Sequence, residues 1–142
     1  MSTRANIVVK GGEFTPTITY YKHCDGYIQG GLGEMLAEFV KDNLDEEDFR
    51  NKITKSKFMS QYIVWVTKKY GDNSYAKDIE ITDIVHGDIE YMYLFKDNEL
   101  GVYIREEWRT EKPFEESYKD WKYVTLVNKD IYNLDIFGKI KA

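Results

Sequence analysis

The chain carries two histidines, and each stands two residues ahead of an aspartate, in His23-Cys24-Asp25-Gly26 and in His86-Gly87-Asp88. A carboxylate at that spacing can orient an imidazole, share a small ion with it, or simply brace the backbone of a turn. Beyond bracing, three chemistries are open to the pair. Two histidines and two aspartates form a ligand set suited to zinc or manganese. Two imidazoles without a metal can serve as base and acid on a phosphodiester. Two-histidine phosphoesterases work in that way with paired His-x-Thr/Ser motifs, and the aspartate in both segments here departs from their pattern. The same groups can also bind a ligand and leave it intact. Cys24 beside His23 adds little, because neighbours on a strand point to opposite faces and keep thiol and imidazole apart.

Other residues could complete such a site. Gly26, Gly30, Gly31 and Gly33 precede an apolar run, and exposed amides at a helix start bind phosphate. Their spacing matches neither the P-loop nor the dinucleotide fingerprint, and Glu34 would repel an anion. The cluster therefore reads as a loop that lets a ligand approach the backbone, or as a plain turn. Arg4, Arg105 and Arg109 are candidate phosphate partners, since guanidinium binds phosphate in a bidentate fashion. Tyrosine occurs 12 times and aromatics make up 15% of the chain. Each buried hydroxyl needs a partner, so some tyrosines should lie on a surface, where they can stack on a base or pack in an interface.

The elements that must position these groups follow from periodicity. Asn6 to Lys10 and Thr15 to Tyr21 read as strands around a Gly11-Gly12 turn. Leu32, Met35, Leu36, Phe39 and Val40 form the stripe of a helix from about Leu32 to Asp42. Carboxylates Asp45 to Asp48 suit a second helix start, and Phe58, Tyr62, Trp65 and Val66 mark a long helix over Ser56 to Lys69. Asp78 to Val85 alternates, with Ile79, Ile81 and Val85 inward. Asp88 to Lys96 is apolar on both faces, with Ile89, Tyr91, Tyr93 and Phe95 on one and Met92 and Leu94 on the other, as a central strand would be. Leu100 to Trp108 returns, a helical turn follows Pro113, and Trp121 to Val127 and Asp130 to Ile140 are further strands. The expected fold is α+β: an antiparallel sheet of about five or six strands with two helices packed on one face.

The 142 residues allow one domain, spanning 1–142. A single cysteine excludes an internal disulfide framework. The net charge of −5 argues against nonspecific nucleic-acid binding, which needs a basic face. Met1 to Asn6 lack a basic region followed by a long apolar run, and the dense apolar stretch Tyr62 to Val66 is too short for a bilayer, so a cytoplasmic location and no membrane partner are expected.

Three segments carry a resemblance: Met1-Ser2-Thr3-Arg4-Ala5-Asn6-Ile7, Tyr21-Lys22-His23-Cys24-Asp25-Gly26-Tyr27, and His86-Gly87-Asp88-Ile89-Glu90-Tyr91-Met92-Tyr93. They resemble a family of small uncharacterised proteins encoded by bacteriophages, prophages and plasmids. Its members open with M-S-T-R-A-N-I, carry Y-R-H-S-D-G-Y-P-x-G before a helix and H-G-D-x-E-Y-x-Y before a hairpin. Here Lys22, Cys24 and Ile28 stand for the usual Arg, Ser and Pro. The resemblance implies that Arg4, His23, Asp25, Gly26, Tyr27, His86, Asp88, Glu90 and Tyr91 form one ligand site, with Arg105 and Arg109 as further phosphate partners. The phage association implies a counter-defence role by analogy. The leading expectation is a protein that sequesters a nucleotide-derived immune signal in the host cytoplasm, with no metal and no cofactor. Proteins of that kind often work as homo-oligomers. Two alternatives stay open: a phosphodiesterase that cleaves the signal with His23 and His86, and an inhibitor of a host effector whose acidic run Asp42 to Asp48 mimics nucleic-acid phosphates.

Overall fold

A computed structural model describes residues 3–12, 16–23, 26–44, 57–71, 76–96, 99–105 and 111–127. In chain order the elements are β1 (Ala5–Val9), β2 (Ile18–Lys22), α1 (Leu32–Leu44), α2 (Phe58–Tyr70), β3 (Ile79–Thr82), β4 (Tyr91–Lys96), β5 (Glu99–Ile104), α3 (Phe114–Ser117) and β6 (Lys122–Leu126), with a 3-10 turn at Tyr118–Asp120 between the last two. Among the described residues the six strands form one sheet in the order β3-β2-β1-β4-β5-β6. The fold is α+β, as expected from the sequence.

The helices form where the apolar stripe and the ends agree. In α1, Leu32, Met35, Leu36 and Phe39 are buried, Glu34 lies in the first turn and Lys41 in the last, each at the pole that suits its charge. In α2, Phe58, Met59, Tyr62 and Val66 are buried. The helix stops at Gly71, whose φ of 73° favours glycine and whose amide closes on the Thr67 carbonyl at 2.8 Å. These side chains share a core with Ala5, Ile7 and Val9 of β1 and Tyr91, Tyr93 and Phe95 of β4. The alternate residues Val8, Met92 and Leu94 enter a second core with Tyr21, Val85, Ile89, Phe114 and Trp121. The two middle strands are thus apolar on both faces because both faces are covered.

Several expectations need correction. The sheet is mixed, since β1 and β4 run parallel while the other neighbours are antiparallel. The chain reaches β4 through α1, α2 and β3, and a crossover of that length permits parallel entry where a hairpin does not. Gly11-Gly12 is not a two-residue turn: β1 ends at Val9 and β2 starts at Ile18, with the Gly11 amide on Thr17 Oγ1 at 3.0 Å. Ile81 is 77% exposed, because β3 is the outermost strand on its side of the sheet. Ile89 joins the core opposite Tyr91, since β4 begins only at Tyr91 and the alternation does not extend back to it. The helix start at Asp45–Asp48, the end of the fifth strand at Trp108 and the strand at Asp130–Ile140 lie outside the described residues. Among the described residues no helix is long and apolar enough to cross a membrane.

Candidate functional site

Strand register builds the site. The residues Ile79, Lys22, Ala5, Tyr91, Ile104 and Lys122 lie side by side across the whole sheet. One step beyond that row come Asp78, His23, Arg4, Glu90, Arg105 and Trp121. The alignment continues there, with His23 N donating to Asp78 O at 3.3 Å and Glu90 N to Arg4 O at 3.2 Å. Four candidates from distant parts of the sequence, Arg4, His23, Glu90 and Arg105, therefore end up at one end of the sheet. By the period of two, Arg4 and Asn6 share the face of Val8, away from α1 and α2.

Tyr21 is the hub. It is 6% exposed. Its ring meets the His23 imidazole edge-on, with centroids 4.4 Å apart, and the His86 imidazole at 3.9 Å. The two histidines thus meet in space through this ring. The Tyr21 hydroxyl donates to Asp88 Oδ2 at 3.0 Å, and Arg4 Nη1 donates to the same oxygen at 3.0 Å. Burial, then the hydrogen bond to Asp88 and its negative charge, push the Tyr21 phenol up to about 12. The Arg4–Asp88 pair is partly solvated, with side chains 46% and 22% exposed. Such pairs contribute about 1 kcal/mol or less, so its effect is to orient rather than to stabilise.

His86 is held from both sides. Its amide donates to Asn6 Oδ1 at 3.0 Å, and its carbonyl accepts from Arg105 Nη2. Asn6 is fully buried in the middle of β1 and also donates to Tyr20 O at 2.9 Å. The Arg105 guanidinium stacks over the Trp121 ring at 4.5 Å. His23 Nε2 lies 3.3 Å from Glu80 Oε2. Among the described residues, Asp88 Oδ1 and His86 Nδ1 are covered atoms with no hydrogen-bond partner, beside the Arg4–Asp88 pair.

The other expected site residues divide. Glu90 is exposed at the rim. Tyr91 is buried in the helix-side core, and Tyr93 is fully buried with its hydroxyl on Gly26 O at 2.7 Å. Neither can stack on a ligand, because odd positions of β4 face the helices. Gly26 is structural: its amide donates to Thr3 O at 2.9 Å, and a Cβ there would lie 2.9 Å from Ala5 Cβ. Three amides of this loop are spent within the chain, those of Gly26, Gly33 and Met35 on the carbonyls of Thr3, Tyr27 and Gly31. Tyr27 is 41% exposed on the loop leading to α1. Asp25 and Arg109 lie outside the described residues, as does Cys24. Among the described residues no three of His, Cys, Asp and Glu gather to hold a metal.

Sequence reasoning missed Tyr21 and Asn6 as site residues. Both left a signal. Tyr21 stands two before His23 on one strand, hence on the same face, and Asn6 is a polar residue inside an apolar strand. Comparison with family models, with curated proteins and with solved structures returns no match.

Proposed function

We propose that the chain binds a nucleotide-derived small molecule at this sheet end and, as a phage or mobile-element accessory protein, sequesters it as an immune signal. The observation that carries the reading is the meeting of His23 and His86 on Tyr21 beside the Arg4–Asp88 pair. Arg4, half exposed, is the phosphate partner: an incoming phosphate competes with Asp88 for its guanidinium. Arg105, engaged by Trp121 and by the His86 carbonyl, is a positioning residue rather than a second phosphate clamp. His23 and His86 supply hydrogen bonds to ribose or phosphate, and the exposed ring of Tyr27 remains for stacking on the base. The phage origin and the counter-defence role rest on the three resembling segments.

The phosphodiesterase reading is the second one, favoured by the same observation, since two imidazoles on one phenol ring are within reach of one ligand. The effector-inhibitor reading has less support: Asp42 is spent on Trp65 Nε1 at 2.9 Å and Lys69 Nζ at 3.1 Å, and residues 45–48 lie outside the described residues.

The test is one incubation with cyclic dinucleotides and ADP-ribose-type signals, followed by mass spectrometry of the free pool and of ligand released by heat. Sequestration returns intact ligand from the protein and loses it in His86→Ala. New products that vanish in His23→Ala or His86→Ala make the chain a phosphodiesterase. A panel left unbound and unchanged contradicts both readings.

A further inference from the structure

A second site lies on the same sheet face, at the other end of β4 and β5. An open cleft of about 190 Å³ is lined by Leu94, Lys96, Gly101, Tyr103, Tyr123 and Leu126, with Glu99 at its rim. Register accounts for most of the lining, because Leu94 and Leu126 both pair with Gly101, and Lys96 pairs with Glu99. A β-bulge accounts for the rest. Gly101 pairs with Leu126 and Val102 with Thr125, but Tyr103 pairs with Tyr123, so Val124 is the extra residue. In a regular strand Val124 and Leu126 would share a face and Tyr123 would point away. Instead Val124 packs against the helix-side core while Leu126 and Tyr123 line the cleft. A bulge re-aims a side chain in this manner and is common beside functional sites.

The result is an aromatic wall seated on a glycine. The Tyr103 and Tyr123 rings lie 5.5 Å apart at 68°, and Tyr118 backs Tyr103 at 5.8 Å. A Cβ on Gly101 would come 3.2 Å from Tyr123 Cε2 and 3.4 Å from Tyr103 Cε2, so only glycine lets the two rings settle this close over the strand, and Gly101 is buried beneath them. Tyr123 is 55% exposed despite its aromatic neighbours. The Lys96 ammonium, 5.3 Å from the Tyr118 ring, and the Glu99 carboxylate offer a donor and an acceptor at the mouth. The volume is below the range of about 300–1,000 Å³ that holds a drug-sized ligand, which excludes a whole dinucleotide and admits one ring system.

From this geometry we infer that the cleft is a binding site for a single planar heteroaromatic ring carrying both hydrogen-bond donors and acceptors, as a nucleobase does. The ring lies against the exposed Tyr123 ring, which Gly101 seats beside Tyr103, with its polar edge toward Lys96 and Glu99. The site is separate from the histidine site: Arg105 is four residues from Gly101 along β5, roughly 13 Å at the rise of a strand.

The test is a titration of the full chain with adenosine, an uncharged probe, followed by NMR. Saturable shifts of the Gly101 amide and upfield ring-current shifts of the Tyr103 and Tyr123 ring protons are expected. Gly101→Val displaces the Tyr103 and Tyr123 rings from their seat and should abolish them while leaving the His23 and His86 resonances in place; Tyr123→Ala, which adds no atoms, should weaken binding at least about fivefold, in the range for losing one stacking partner. No saturable shift with adenosine overturns the assignment. So do shifts that survive Gly101→Val, or cleft resonances that move with protein concentration alone, which would mean that a second copy of the chain covers the cleft.

Discussion

At the scale of single residues, Tyr21 decides the chemistry. Its ring brings two imidazoles together and its hydroxyl fixes the carboxylate that Arg4 also holds. Burial and the Asp88 hydrogen bond favour the neutral phenol, raising it from an ordinary value of 10.0 to about 12. The sign follows from linkage: the folded chain holds this proton more tightly than the unfolded one. The stability gained is therefore complete below pH 10 and is lost as pH rises through about 12. Tyr21→Phe should be less stable than the parent at neutral pH by about 1 kcal/mol, the usual net value of one hydrogen bond. The gap should close between pH 10 and 12 when melting is followed alongside the phenolate absorbance. A gap that is constant with pH would show that the Tyr21 phenol titrates normally. Residue types were enough to nominate Arg4, His23, His86 and Asp88 from the sequence. They were not enough to reject Tyr91, because its burial depends on which face of β4 the helices cover.

At the scale of elements, periodicity was readable and pairing was not. The stripes of α1 and α2 and the doubly apolar β4 could be read from spacing alone, since a buried face repeats with the period of its element. The parallel β1–β4 pair and the bulge in β6 depend on partners far away in the chain, and no local pattern encodes them. Glycines show the same divide. Gly33 and Gly30 look alike in sequence, yet they serve different ends. A Cβ on Gly33 would lie 2.6 Å from Ile28 O and 2.9 Å from the Tyr93 hydroxyl, both fixed by buried surroundings. Gly30 has a φ of +78° and open space around it. Gly33→Ala should cost about 1–3 kcal/mol through overpacking. Gly30→Ala should cost about 1–2 kcal/mol through backbone strain alone. The distinguishing observation is structural: thermal melts should fall for both, but only Gly33→Ala should shift the Tyr93 and Ile28 resonances. Unchanged resonances there would contradict the close packing of the loop on β4.

At the scale of the whole molecule, the sheet separates two tasks. One face carries the core it shares with α1 and α2, and the other carries a smaller core flanked by the histidine site at one end and the aromatic cleft at the other. Arg4 just before β1, His23 just after β2, the His86–Asp88 loop before β4 and Arg105 after β5 become neighbours only when the pairings of β2 with β1, β1 with β4 and β4 with β5 are in register. The central claim is that these segments make one site. It is tested most directly by following the ring nitrogens of His23 and His86 by NMR while titrating in the tightest-binding member of the nucleotide panel. The account predicts that both imidazoles shift along one saturation curve with a single Kd, and that Tyr21→Phe weakens that Kd for both together. Imidazoles that respond at different ligand concentrations, or only one of them responding, would contradict it.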